Sequence, residues 1–194
     1  MKRIIYSLLL SLIAVSSFAQ FNVYTRMFQI TNGKVQKIVM ETTGEVFTFD
    51  REGRITSYSM GTDEIRYSWS GNKITLAAYQ NGNKLGEEYM TVTTNNTREV
   101  SITLPGGTVT ESFRANGSSE KSIITSNGQS MVETCFYHSE SDTSPYKYTI
   151  SMQGQTETFE ISGCQFDSKG NWIRQTVKNN GQSQTDIRTI TYYN

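Results

Sequence analysis

An all-β fold follows from three observations. Turn-forming clusters recur at the spacing of one short strand plus one turn. The segments between them are rich in Val, Ile, Thr, Tyr and Phe. Apolar residues rarely recur at the three-and-four interval of a helix. The expected architecture is an antiparallel hairpin meander, either an extended sheet or a partly closed barrel, following an N-terminal signal peptide.

The turn signals run along the whole chain after the leader. They include Thr31-Asn32-Gly33, Thr42-Thr43-Gly44, Asp50-Arg51-Glu52-Gly53, Ser70-Gly71-Asn72 and Gln80-Asn81-Gly82. Thr94-Asn95-Asn96, Pro105-Gly106-Gly107, Ala115-Asn116-Gly117, Ser126-Asn127-Gly128, Gln153-Gly154, Asp167-Ser168-Lys169-Gly170 and Asn179-Asn180-Gly181 continue the series. Asn-Gly supplies the two positive φ values of a tight hairpin turn. Gly33 and Gly44, Gly71 and Gly82, Gly117 and Gly128, and Gly170 and Gly181 are each 11 residues apart, the rhythm of a β meander, sandwich or barrel.

Strands are expected over residues 35–40, 46–49, 73–79, 100–104, 131–137, 146–152 and 187–193. Val109, Glu111 and Phe113 should share one face, opposite Thr108, Thr110 and Ser112. Ile173, Gln175 and Val177 should share another, with Trp172 on the reverse. Residues 138–145 form the longest polar break and the expected long loop.

Lys2 and Arg3 precede an apolar stretch from Ile4 to Phe18, and Ser17-Phe18-Ala19 puts small side chains at the −3 and −1 positions of a peptidase site. Residues 1–19 therefore read as a cleavable signal peptide and 20–194 as a single all-β hairpin-repeat domain. The first cysteine is Cys135, so no lipid anchor is expected, and no later segment reaches membrane-spanning length. The protein is expected to be exported, to the periplasm or beyond the cell. A membrane barrel is disfavoured by strands that read as short, with Ser and Thr spread over both faces.

The chain has 18 basic and 18 acidic residues without dense runs of either sign, which argues against nucleic acid as a partner. Cys135 and Cys164 are the two cysteines, and a plain meander would hold them two strands, about 10 Å, apart. A bond between them would need the sheet to curl or stack; otherwise both are buried thiols.

The segment Phe49-Asp50-Arg51-Glu52-Gly53-Arg54-Ile55, with Gly44 to Thr48 before it, and the segment Phe166-Asp167-Ser168-Lys169-Gly170-Asn171-Trp172-Ile173 share an aromatic-Asp-x-x-Gly-[Arg/Asn]-apolar pattern. A degenerate copy runs from Tyr67 to Ile74. This pattern resembles the YD-type, RHS-like repeats of short exported bacterial proteins. The resemblance implies a hairpin-built exported protein, without room for the shell that long repeat arrays form. In physical terms, Asp50 and Asp167 should cap their turns, Gly53 and Gly170 should take positive φ, and the flanking aromatics should pack across the hairpins.

Chemistry-bearing motifs are sparse. His138 is the single histidine, and its spacing from Cys135 puts the two on opposite faces of a strand. One His and two distant Cys do not make a zinc site, and no cofactor motif is present. Glu87, Glu88, Glu157 and Glu160 are the carboxylates considered for a glycosidase pair. Trp69, Trp172, Tyr67, Tyr137 and Tyr146 are the candidate ligand-stacking aromatics, with Tyr79 and Tyr192 nearby by periodicity. The leading expectation is a non-catalytic exported binding module with a glycan or another exported protein as ligand. A structural or cell-surface scaffold is the alternative, and a periplasmic hydrolase the third reading.

Overall fold

The computed structural model describes residues 32–96 and 98–194. The expected signal peptide lies outside them. Fourteen strands follow in chain order: β1 (Val35–Met40), β2 (Glu45–Phe49), β3 (Ile55–Met60), β4 (Asp63–Ser70), β5 (Lys73–Gln80), β6 (Asn83–Asn96), β7 (Glu99–Leu104), β8 (Gly107–Phe113), β9 (Ser119–Ser126), β10 (Gln129–Phe136), β11 (Lys147–Met152), β12 (Gln155–Phe166), β13 (Trp172–Asn179) and β14 (Gln182–Tyr192). Each pairs antiparallel with its chain neighbours, and β14 pairs with β1, so the meander closes into a complete barrel. The antiparallel hairpin meander expected from sequence is present, and of the two forms it offered the barrel is the one formed, closed completely, which removes the first and last strands as free edges.

The turns alternate in kind between the two ends. At one end, Asn81-Gly82, Asn127-Gly128, Gln153-Gly154 and Asn180-Gly181 carry consecutive positive φ values, the hairpin geometry that Asn-Gly favours. At the other end, residues 50–54 and 167–171 form matching five-residue turns. Asp50 N–H donates to Arg54 O (2.9 Å) and Gly53 N–H to Asp50 O (2.9 Å); Asp167 N–H donates to Asn171 O (2.8 Å) and Gly170 N–H to Asp167 O (3.0 Å). The Asp side chains cap as expected: Asp50 Oδ1 accepts from Arg54 N–H at 2.8 Å, and Asp167 Oδ1 from the N–H groups of Lys169 and Asn171 at 2.9 Å each. Gly53 and Gly170 have φ values of 73° and 78°. The same backbone closure recurs at 114–118 with Arg114 in the Asp position. The degenerate segment is different: Gly71-Asn72 is a tight link between β4 and β5.

Cross-strand register decides which side chains share the inner face. Ile38 opposes Phe47, Phe47 opposes Tyr58, Tyr58 opposes Ile65, and Ile65 opposes Ala78. On the closing side Ile190 opposes Ile38. The apolar core lies inside β1–β8, with Ile38, Ile74 and Ile102 fully buried among Phe47, Phe49, Met90, Val92 and Val109. Burial of this surface is the main stabilising term of the fold. Val109, Glu111 and Phe113 share the buried face as expected.

The outer face carries Thr48, Ser57, Ser59, Thr75, Thr91, Thr93, Ser101, Thr103, Thr108 and Thr110, with comparable runs on β10–β14. Ser and Thr are therefore concentrated on the outside, not spread over both faces, because closure gives the pleat a single buried side. Strands β6, β12 and β14 span 14, 12 and 11 residues, longer than expected. Each pairs one neighbour with its first half and the other with its second, and this stagger is what lets a staircase of hairpins close.

Candidate functional site

Inside β8–β14 the apolar core gives way to polar residues. Glu111 opposes Ser122, Ser122 opposes Glu133, Glu133 opposes Ile150, and Ile150 opposes Glu157, one row across β8 to β12. A neighbouring row joins Cys135, Tyr148 and Phe159. The rings of Tyr148 and Phe159 stack at 4.6 Å with an interplanar angle of 2°. From the closing side, Gln175 opposes Asp186. Cys135 Sγ lies 3.9 Å from Glu133 Oε1.

Electrostatics link these rows across the interior. Burial pushes the Tyr148 hydroxyl up to about 12, reinforced by the charges of Glu133 and Asp186. Tyr148 and Asp186 stand on β11 and β14, three strands apart, and both face inward. Burial pushes Glu111 up to about 8, opposed by hydrogen bonds with the Ser122 and Ser119 hydroxyls and assisted by the charge of Glu133. Glu133 and the Cys135 thiol are also raised, chiefly by burial. Glu111 is sealed at 4% exposure, whereas Glu133, Tyr148, Phe159 and Asp186 are half-buried and Glu157 and Gln184 are exposed. Solvent thus reaches this inner face from the end of the tight turns, and Glu111 lies beyond its reach. The Gln175 Oε1 atom is buried without a hydrogen-bond partner.

The opposite end is stitched shut. Tyr192 donates to Asp167, and Asn171 Nδ2 donates to Asn32 O and to Tyr192 Oη at 2.7 Å each. Asn171 thereby ties the 167–171 turn to the seam where β14 meets β1. Arg114 reaches the 137–146 loop, donating to Asp142 O at 2.8 Å and Ser139 O at 2.7 Å, while its guanidinium sits 3.9 Å from the Tyr137 ring centroid. Asn116 donates to the carbonyls of Glu140 and Asp142, each at 2.9 Å.

The sequence-named aromatics separate in this structure. Tyr67 and Trp172 are buried, and neither ring offers a face to solvent. Trp172 shares burial with Gln175, contrary to the strand alternation expected there, because Ile173 is an extra residue on β13: Arg174 and Trp172 oppose the adjacent Gln165 and Phe166 of β12. Trp69 donates to Ile55 O at 2.9 Å and packs on the core. Tyr137 donates to Ser119 O at 2.6 Å, and Tyr146 stacks on His138 at 4.0 Å; both are half-buried at the loop end, away from the tight turns. Of the four named carboxylates, Glu88 and Glu157 face inward opposite Leu76 and Ile150, while Glu87 and Glu160 face outward. Cys135 and Cys164 are free thiols on β10 and β12, with β11 between them. Sequence reasoning missed Glu133, Tyr148, Phe159, Gln175 and Asp186. A strand-by-strand alternation count would mark each as one-faced, but only the cross-strand register from β10 to β14 places them on the same inner wall.

Among the described residues no group of three or more His, Cys, Asp or Glu side chains is placed to hold a metal ion, and no helix is long and apolar enough to cross a membrane. No family model matches the chain, and no curated protein does. Among solved structures it is similar to a porin-like protein from Bacteroides vulgatus, 13% identical, with a TM-score of 0.47 over 82% of this chain and 99% of that one. Likeness at that level leaves function to be argued from this chain's own residues.

Proposed function

We propose that the protein is an exported, non-catalytic binding module that works in water and takes a small ligand at the inner face of β10–β14. The observation that carries this reading is the distribution of side chains between the two faces. A membrane barrel needs an apolar outer band of about 25 Å. This outer wall carries Ser and Thr with Lys37, Arg66, Lys73, Lys121, Arg174 and Lys178. Apolar residues stand outward only singly or in pairs, such as Val39 with Val46 and Ile123 with Val132, and most are inside, where β1–β8 form a packed half and β10–β14 a polar, solvent-reached half. Binding sites of this kind combine aromatic walls with a few polar groups, as Tyr148 and Phe159 do with Glu133, Gln175 and Asp186.

Export is supported by the basic, apolar and small-residue succession over residues 1–19. Of the glycan and protein ligands expected from sequence, a small saccharide fits this proposal, with its contact moved from Trp69 and Trp172 to the inner face, and a protein does not. Hydrolysis is disfavoured because Glu111, the carboxyl best poised as an acid, is sealed under its serine partners and cannot meet a substrate.

A ligand panel of neutral saccharides, organic cations and carboxylates, read by thermal shift and calorimetry on residues 20–194, tests the reading. Saturable binding lost in Tyr148→Ala but kept in Trp69→Phe supports it. Binding that ignores Tyr148, or a barrel that stays dispersed only in detergent, overturns it.

A further inference from the structure

The ionisable side chains of the barrel are segregated by sign. Facing inward on the strands are Glu45, Asp63 and Glu88 in the packed half, and Glu111, Glu133, Glu157 and Asp186 beyond it. Arg188 is the one inward-facing cation among the described strand residues. That cation is committed: its guanidinium lies 3.6 Å from the Trp172 ring centroid, and Nε donates to Trp172 O at 2.6 Å. Outward, Lys and Arg outnumber the acids. Chance patterning at near-neutral composition does not favour such a split, and an uncompensated acidic interior costs stability through self-repulsion.

Resting on the reading of the inner face as a binding site, we infer that its ligand is a small organic cation, an amine or guanidinium on an apolar body, held between Glu133 and Asp186 against the Tyr148–Phe159 rings. A second observation points the same way. Gln175 is 6% exposed, faces the interior beside Asp186, and presents a carbonyl oxygen without a partner. A buried acceptor left unmet calls for a donor. The two carboxylates and the unmet Gln175 Oε1 atom are acceptors, and although Asp186 Oδ1 already accepts from Gln184 Nε2 at 2.8 Å its second oxygen is available, so the wall suits N–H donors and disfavours carboxylates and phosphates. The stacked rings add an electron-rich wall for a cation and an apolar surface for its body. A bare metal ion fits less well, because the acids are spread around the wall and no three of them converge.

The test uses residues 20–194 at pH 8 and compares benzyltrimethylammonium, agmatine and spermidine with benzyl alcohol and benzoate by calorimetry. The expected result is saturable binding of at least one cation, undetectable binding of benzoate, and roughly tenfold weaker cation binding in Asp186→Asn and in Glu133→Gln, the loss of one charge-assisted contact. Circular dichroism and thermal melting of both variants confirm that the barrel is intact. Equal affinity for benzyl alcohol and the cations, or cation binding unchanged in both variants, overturns the inference. Binding of a neutral saccharide, lost in Tyr148→Ala, with no cation bound, overturns the cation assignment and leaves the binding-module reading standing. No binding of any class overturns both.

Discussion

Arg188 lies over the face of Trp172 with its guanidinium carbon 3.6 Å from the ring centroid, while its Nε holds the Trp172 carbonyl at 2.6 Å. The pair joins β14 to the start of β13 directly behind the 167–171 turn. Burial pulls the guanidinium pKa down, and Tyr192 and Asp167 pull it back up. The charge survives in the interior because ring, carbonyl and neighbouring carboxylate together replace water. Arg188→Ala would leave the Trp172 ring without its cover and open a cavity. A loss of about 3–5 kcal/mol is expected in urea unfolding, with a red shift of the tryptophan emission. Arg188→Met, which fills the volume without the charge, should recover much of that loss; an Arg188→Met variant as unstable as Arg188→Ala would show that the charge itself is required.

Asp50 and Asp167 close the same turn but carry different loads. Asp50 caps Arg54 and pairs with its side chain at 2.7 Å, near the surface. Asp167 also accepts from Tyr192, which Asn171 connects to Asn32 across the barrel seam. Removal of a cap of this kind costs about 1 kcal/mol, so Asp50→Ala should lose about that much and Asp167→Ala about twice as much. Hydrogen bonds from Tyr192, Asn171 and Lys169 hold the Asp167 carboxyl below its ordinary value against the opposing effect of burial. A depressed folded-state pKa means the stabilisation is present above the unfolded value of 3.8 and is lost as pH falls through the folded one. Unfolding curves for Asp167→Asn and the parent should therefore converge in acid; a constant gap down to pH 2 would assign the cost to shape rather than charge.

Glu111 predicts the opposite slope. Its folded pKa of about 8 exceeds the ordinary 4.5, so the folded protein binds the extra proton between those values. The stability it contributes is full below the ordinary value and declines as pH rises through the folded one, by at most about 1.4 kcal/mol per pH unit. Glu111→Gln should flatten that decline and melt higher than the parent at pH 9, while the two proteins match near pH 5. A parent whose melting temperature is level from pH 5 to pH 9 would show that Glu111 ionises freely.

Much of the fold was legible because turn chemistry is local. Asn81-Gly82, Asn127-Gly128 and Asn180-Gly181 each take the two positive φ values that their residue types favour, and the strand expected over 35–40 is β1 itself. A partly closed barrel was among the expected forms, but full closure was not legible, since pairing of β1 with β14 joins residues about 150 positions apart and depends on the stagger that β6, β12 and β14 build up together. The site was hidden for the same reason. Tyr148 and Asp186 look like unrelated strand residues until the register places both on the inner face. The aromatics that stood out, Tyr67 and Trp172, were conspicuous by size, and size is what fills a core.

The 137–146 loop offers a final test, because its order comes from two side chains outside it. Arg114 forks onto the carbonyls of Ser139 and Asp142, and Asn116 holds those of Glu140 and Asp142. Inside the loop, Asp142 accepts from the Ser139 N–H at 2.9 Å and from its hydroxyl at 2.7 Å, which makes a small closed unit that Arg114 docks on the barrel end. Those hydrogen bonds hold the Asp142 carboxyl below its usual range. Arg114→Ala should free the unit without unfolding it: amide exchange across residues 138–144 should quicken roughly tenfold, with the melting temperature lowered by only a few degrees. Arg114→Lys should not restore slow exchange, since an ammonium on a flexible stem cannot bridge two carbonyls and stack on Tyr137 at once. Full protection in Arg114→Lys would mean that charge alone, rather than the planar fork, seats the loop.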